Sequence, residues 1–79
     1  MPSDRILDVR IIQSREKHPA IFRRFVALRD GEDFELINDH DPVPLHRHFE
    51  EKHAGAFGWE YLEKGPETWR VRISRLGPG

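Results

Sequence analysis

Residues 57–74 read FGWEYLEKGPETWRVRIS, and this segment decides the class of fold. On either side of a Lys64–Glu67 turn, large apolar side chains alternate with small or charged ones, as in the two strands of a hairpin. The alternation predicts a sheet with one apolar face and one polar face. Because only the apolar face needs to be covered by helices, the segment indicates a two-layer fold.

Two strands and two helices precede this hairpin. Residues 5–11 alternate between apolar and polar side chains, which is typical of a first strand, and residues 34–37 form a second. Between them Pro19 is expected in the first turn of a helix, because that turn does not need the missing N–H. Apolar residues then recur at helical spacing until Asp30-Gly31, a typical helix stop.

The second helix is expected over Val43–His53, with Asp41 as its N-cap. The element order is therefore β-α-β-α-β-β, an α/β (α+β) two-layer sandwich with both helices on one face of the sheet. The chain forms a single domain over residues 1–79, with an ordered core at about residues 5–75 and termini that fray.

The composition excludes several classes of protein. Thirteen basic and 14 acidic side chains give a net charge of −1, without the excess of Lys and Arg that attracts nucleic-acid phosphates. No apolar stretch reaches the ~20 residues that span a membrane, and no signal-peptide pattern is present, so a cytoplasmic location is expected. The absence of cysteine excludes disulfides, thiolate metal sites and persulfide chemistry.

Five segments of the chain are characteristic: LDVR (7–10), KHP (17–19), NDHDP (38–42), GWEY (58–61) and WRVRI (69–73). Through these segments, and over roughly Ile6–Arg75, the chain resembles an uncharacterised bacterial family that is known only as a domain of unknown function. Members of that family occur alone or beside hemerythrin-like or other metal-binding domains. The resemblance implies little about function, because the family is itself uncharacterised.

The order of elements is more distantly similar to the TusA/SirA sulfur-carrier fold. In those proteins a Cys-Pro dipeptide opens the first helix, and an acidic turn with a proline precedes the second. Here His18-Pro19 and Asp39–Pro42 stand at those two places. The similarity implies a mixed four-stranded sheet whose last strand is antiparallel to the rest. Sulfur relay is excluded, because an imidazole cannot replace the thiolate of a persulfide carrier.

The polar residues of these two segments form the candidate site. Right-handed crossovers place the starts of both helices beyond the carboxyl ends of the first two strands, where α/β sheets bind ligands. The candidate ligand-binding residues are His18, Asn38, Asp39, His40 and Asp41. Imidazoles and carboxylates suit Zn, Fe, Mn or Ni, so His18, His40 and Asp41 are also candidate metal ligands. The alternative is that these residues only cap helices and form turns.

Two other groups of polar residues are expected to be structural. His46, Glu50 and His53 share one face of the second helix, which is expected to be solvated. Arg70 and Arg72 are expected on the open face of the sheet, where opposite charges on neighbouring strands pair with them.

The sequence contains no glycine-rich phosphate loop, no Ser or Cys nucleophile with an obvious base and no paired-carboxylate motif, so an enzyme is not favoured. The prediction is a small non-catalytic ligand- or partner-binding (adaptor) module without a required cofactor. Its protein partner or small polar ligand is expected at the edge that carries His18 and Asn38–Asp41. The alternatives are a small metal-binding protein that uses a divalent metal at this edge, and a weak RNA binder. The oligomeric state stays open.

Overall fold

The computed structural model describes residues 5–77, which form four strands and two α-helices. The strands are β1 (Ile6–Asp8), β2 (Asp33–Asn38), β3 (Phe57–Lys64) and β4 (Trp69–Arg75). The helices are α1 (Ser14–Val26) and α2 (Val43–Lys52). The predicted β-α-β-α-β-β order is confirmed. The fraying predicted for residues 1–4 and 78–79 lies outside the described residues.

The four strands form one mixed sheet in the order β1-β2-β4-β3. β1 and β2 are parallel, and β4 is antiparallel to both of its neighbours, β2 and β3. The last strand therefore runs against the other three, as the sequence predicted. The parallel pair brings the carboxyl ends of β1 and β2 to the same edge of the sheet.

The hydrophobic core lies between the sheet and the two helices. Its nine buried residues are Val9, Ile21, Phe25, Phe34, Leu36, Leu45, Phe49, Val71 and Ile73. Phe34 and Leu36 of β2 alternate with half-exposed residues, and they pack with residues of both helices. Both helices therefore cover the same face of the sheet, and each side chain buried there contributes roughly 1.5–3 kcal/mol.

The first strand is shorter than its alternation predicts. Asp8 ends β1, and a 3₁₀ helix over Val9–Ile11 follows. The Asp8 carboxylate accepts the backbone N–H of Arg10 at 3.0 Å and the Arg10 guanidinium at 2.7 Å. These local hydrogen bonds replace the sheet ladder. Val9 is still buried, but Ile11 is 86% exposed, so the predicted apolar face ends before Ile11.

The first helix begins at Ser14, five residues before Pro19, so the prediction that Pro19 lies in its first turn is wrong. Pro19 removes a single N–H, whose partner in a regular helix is the carbonyl of Arg15. Arg15 is exposed, so water can bind that carbonyl, and the helix tolerates the proline. As a consequence, His18 lies inside the helix rather than at its N-terminus.

The second helix does not use Asp41 as its N-cap, contrary to the prediction. The N-cap is Pro42, and no side chain caps the helix. The Asp41 carboxylate instead accepts the hydroxyl of Tyr61 at 2.6 Å. A bond that joins the turn to β3 has therefore replaced a local cap. The helix ends at Lys52, one residue earlier than predicted.

Candidate functional site

Three of the five candidate ligand-binding residues meet at one cavity. The cavity has a volume of about 190 Å³ and lies where β2 ends and α2 begins, against α1. It is lined by Ser14, Lys17, His18, Ile21, Asn38, His40, Pro42, Pro44 and Leu45. The other two candidates, Asp39 and Asp41, do not line it. The predicted edge of the sheet is thus a concave site, built by fewer of the candidate residues than the sequence suggested.

Asn38 is the one buried polar side chain in residues 5–77, with 5% of its surface exposed. It is the last residue of β2, and it follows Phe34 and Leu36 on the strand face that covers the core. Its Oδ1 accepts the backbone N–H of Asp39 at 2.9 Å. Its Nδ2 donates to no residue of the described chain but is not sealed from solvent, since Trp59 Nε1 is the one buried side-chain N or O atom without a partner in residues 5–77. This free donor belongs to a wall of the cavity.

His18 presents a neutral imidazole to the cavity at neutral pH. Burial, and then the charge of His48, lower the pKa of His18 below its usual value. The two rings face each other across the helix pair, with their centroids 5.6 Å apart. A neutral imidazole has one donor and one acceptor nitrogen, so His18 can bind either partner type.

His40 and Asp39 form an exposed pair at the mouth of the site. The Asp39 Oδ1 lies 2.7 Å from the His40 Nδ1, and both side chains are more than half exposed. The hydrogen bond to His40, with help from the charge of Lys17, lowers the pKa of Asp39. Asp39 therefore stays ionised and engaged with His40, and it holds the imidazole that lines the cavity.

Asp41 has a structural role in this arrangement. Burial, followed by the hydrogen bond to Asp41, raises the pKa of the Tyr61 hydroxyl. The pair joins the β2–α2 turn to β3, twenty residues along the chain. Asp41 is consequently a support for the turn that carries Asn38 and His40.

Two polar residues of the cavity, Ser14 and Lys17, were missed by the sequence analysis. Ser14, Lys17, His18 and Ile21 stand at positions i, i+3, i+4 and i+7, which is one face of a helix. This signal becomes visible only when the helix starts at Ser14. The expectation that the helix begins at Pro19 concealed it.

A second, wider cavity of about 500 Å³ lies between α1 and α2. It is lined by His18, Pro19, Phe22, His48, Lys52 and His53. The Phe22 ring packs edge-on against His48 at 5.0 Å and stacks on Phe49 at 4.5 Å. His18 lines both cavities and separates the small polar one from this aromatic groove.

The polar face predicted for the second helix is only partly solvated. The His46 ring stacks nearly parallel on the Trp59 ring, with the ring centroids 4.3 Å apart. The Nε2 of His46 lies 3.8 Å from the Glu50 carboxylate. His53 packs against Phe25 at 4.8 Å. The predicted solvation therefore holds for Glu50 and only in part for the two histidines, whose half-exposed rings pack on the aromatic residues of the core.

Metal ligands do not converge at the candidate edge. Within residues 5–77, no three His, Asp or Glu side chains form a group that suits a metal ion. The cavity brings together two imidazoles, His18 and His40, while the third candidate ligand, Asp41, binds Tyr61. The divalent metal stays a prediction, without a three-ligand group to support it.

The arginines of β4 are matched by acidic residues, as predicted. Arg70 lies 2.8 Å from Glu35 of β2, and Arg72 lies 3.0 Å from Glu60 of β3. The register of β3 shifts between Tyr61 and Glu63, which places Glu63 opposite Arg70.

Arg75, the third arginine of β4, has a different role. Its guanidinium donates to the carbonyls of Val26 and Leu28, at 3.0 Å each. It thereby satisfies carbonyl groups that the end of α1 leaves free.

The chain matches one known family over residues 6–75, described as "Uncharacterized conserved protein (DUF2249)". No curated protein and no solved structure matches it. None of the helices within residues 5–77 is long and apolar enough to cross a lipid bilayer.

Proposed function

This chain belongs to the DUF2249 family, and we propose that it is a small non-catalytic module that binds a polar ligand or partner group. The site is the cavity lined by His18, Asn38 and His40. The layout of the fold is proposed to be TusA-like, on the basis of the element order and the single helix layer. With no cysteine in the chain, the module does not carry sulfur.

The observation that carries the proposal is the free amide donor of Asn38. The Nδ2 opens onto the cavity, where water can reach it, so a ligand that accepts its hydrogen bond takes the place of water. The sheet position would accept an apolar residue, since Phe34 and Leu36 precede it on the same face. A polar ligand in the cavity can accept the Nδ2 hydrogen bond, which gives the amide a role beyond the bond from its Oδ1 to the Asp39 N–H.

The rest of the lining supports binding rather than catalysis. Lys17, His18, His40 and Ser14 supply polar groups around the amide, and Ile21 and Leu45 supply apolar walls. No carboxylate lines the cavity, so the paired acid and base of many hydrolases is absent from this part of the described chain. Convergent donors on a partly apolar wall are typical of small-ligand sites.

The test is a nuclear magnetic resonance titration of ¹⁵N-labelled protein with a panel of small acids, amines, amides and sugars. We expect at least one compound to shift the backbone amides of residues 14–21 and 38–45, while those of the β3–β4 hairpin stay in place. Asn38→Leu keeps the apolar packing of the strand but deletes the donor. It is expected to abolish these shifts and to leave thermal unfolding intact.

His18→Gln provides the second variant, and His53→Gln is its matched control, because His53 lines only the wider groove. We expect the first to weaken binding and the second to leave it unchanged. Identical shifts in the wild type and in Asn38→Leu, or no shift with any compound of the panel, would contradict the proposed site.

A further inference from the structure

We infer that the ligand of the small cavity is a small free oxyanion, a carboxylate above all, that accepts hydrogen bonds from Asn38 and Lys17. This inference rests on the proposed function and specifies the chemical class of its ligand. It follows from three properties of the cavity: the sign of its charge, the kind of hydrogen-bonding groups and its size.

The charge of the lining favours an anion. Lys17 is the one formally charged residue among those that line the cavity. It forms no salt bridge with the described residues, although its charge reaches Asp39. Asp39, the nearest acid named, is itself engaged by His40 at 2.7 Å. The cationic group of the cavity is thus left without a close counter-ion, which a bound anion supplies.

The hydrogen-bonding groups point to an acceptor. The Oδ1 of Asn38 already accepts the Asp39 N–H, whereas its Nδ2 has no partner in the described chain and is the atom of the amide that a ligand would engage first. The Lys17 ammonium can only donate. At the start of α2, Pro42 and Pro44 have no N–H and the Val43 N–H is bonded to the Asp41 carbonyl at 2.8 Å, so Leu45 is left as the backbone donor of the first turn beside the cavity. The anion is therefore bound mainly by side chains.

The size of the cavity limits the ligand. Its volume of about 190 Å³ is below the roughly 300–1,000 Å³ of sites for drug-sized molecules. A nucleotide or a folded peptide segment does not fit within it. A carboxylic acid of a few carbon atoms fits, with its oxygens at Asn38 and Lys17 and its carbon chain against Ile21 and Leu45.

The experiment compares acetate with acetamide, which has the same shape but no charge, at constant ionic strength. Inorganic phosphate and methylammonium complete the set. The measurement is the nuclear magnetic resonance shift of the backbone amides of residues 14–21 and 38–45. We expect acetate and phosphate to give saturable shifts, and acetamide and methylammonium to bind at least about tenfold more weakly.

Two variants test the donors. Lys17→Gln is expected to weaken acetate binding about tenfold, whereas Lys64→Gln, a lysine change on β3 outside the cavity, should change it less than about twofold. Asn38→Asp keeps an acceptor for the Asp39 N–H but replaces the donor by a negative charge, and it should abolish acetate binding.

The outcomes separate this inference from the proposed function. Acetamide or methylammonium binding as tightly as acetate at these residues would overturn the anion and leave the proposed site standing. Equal acetate affinity in Lys17→Gln and Lys64→Gln would also overturn it. If none of the four probes binds, the oxyanion is refuted, and the wider panel still decides whether the site binds another compound.

Discussion

His18 lies at the boundary between the two cavities, and its protonation makes the stability of the fold depend on pH. Its pKa is lowered in the folded state, by burial first and by His48 second. A base with a lower pKa in the folded state takes up a proton on unfolding. The stability that depends on the neutral ring is complete above the unfolded pKa of about 6.5 and is lost as the pH falls toward the folded pKa.

We therefore expect the free energy of unfolding to decrease as the pH falls from about 7.5 to about 5.5, and His18→Gln to reduce that decrease. Urea unfolding of both proteins at the two pH values measures the effect. An equal decrease in the two proteins would show that His18 does not contribute to it.

At the level of elements, β2 and the hairpin were predicted well, because β2 alternates strictly and the hairpin carries its large apolar side chains on one face despite the register shift in β3. β1 and α1 were predicted less well, for local reasons. Asp8 hydrogen-bonds to its own chain and ends β1 early, and Pro19 is tolerated inside α1. Alternation and proline position are statistical signals. Neither includes the Asp8 hydrogen bonds that end β1 or the exposed position of Arg15 that lets α1 continue through Pro19.

The candidate site was predicted in place but not in composition. Topology brought His18 and Asn38 to one edge of the sheet, as expected from the crossover rule. Asp41 does not line the cavity, because its carboxylate accepts the hydroxyl of Tyr61, twenty residues later in the chain. No local sequence pattern predicts such a long-range contact. Lys17 was not predicted, because a helix that starts at Pro19 excludes it from the helical face that lines the cavity.

The β3–β4 turn depends on Gly65. This residue has a φ of +59°, and a Cβ at its position would lie 2.7 Å from the ring of Trp69. We expect Gly65→Ala to lower the free energy of unfolding by about 2 kcal/mol or more, since backbone strain and displacement of the ring add together.

Gly55→Ala is the matched control for this change. Gly55 also has a positive φ, +78°, but nothing lies within 4 Å of a Cβ there, so only backbone strain of about 1–2 kcal/mol is expected. Urea unfolding gives both values. Equal losses would mean that Trp69 moves aside without cost.

For the whole molecule the net charge is close to zero, and on the open face of the sheet the opposite charges also lie next to each other. Arg70 and Arg72 on the open face of the sheet are paired with Glu35 and Glu60. We expect no detectable binding of generic single-stranded RNA at physiological salt, because such binding needs unpaired cations that displace counter-ions. Fluorescence anisotropy with a labelled oligonucleotide measures it.

A Glu35→Gln/Glu60→Gln/Glu63→Gln triple variant tests the reason, because it removes the carboxylates that pair with Arg70 and Arg72 and should increase RNA affinity at low salt. Submicromolar affinity of the wild type, with a steep dependence on salt, would contradict the argument from paired charges.

The register shift in the edge strand β3 affects whether separate copies of the protein can join through their sheets. β3 is the longest strand and lies at the edge of the sheet, but its register shift interrupts it, and Glu60, Glu63 and Lys64 add charge. The opposite edge, β1, has only three residues. Within residues 5–77, neither edge offers a long straight run of free backbone groups on which another copy can add a strand. We therefore expect a small domain built this way to resist growth into intermolecular sheets and fibrils, even in concentrated solution.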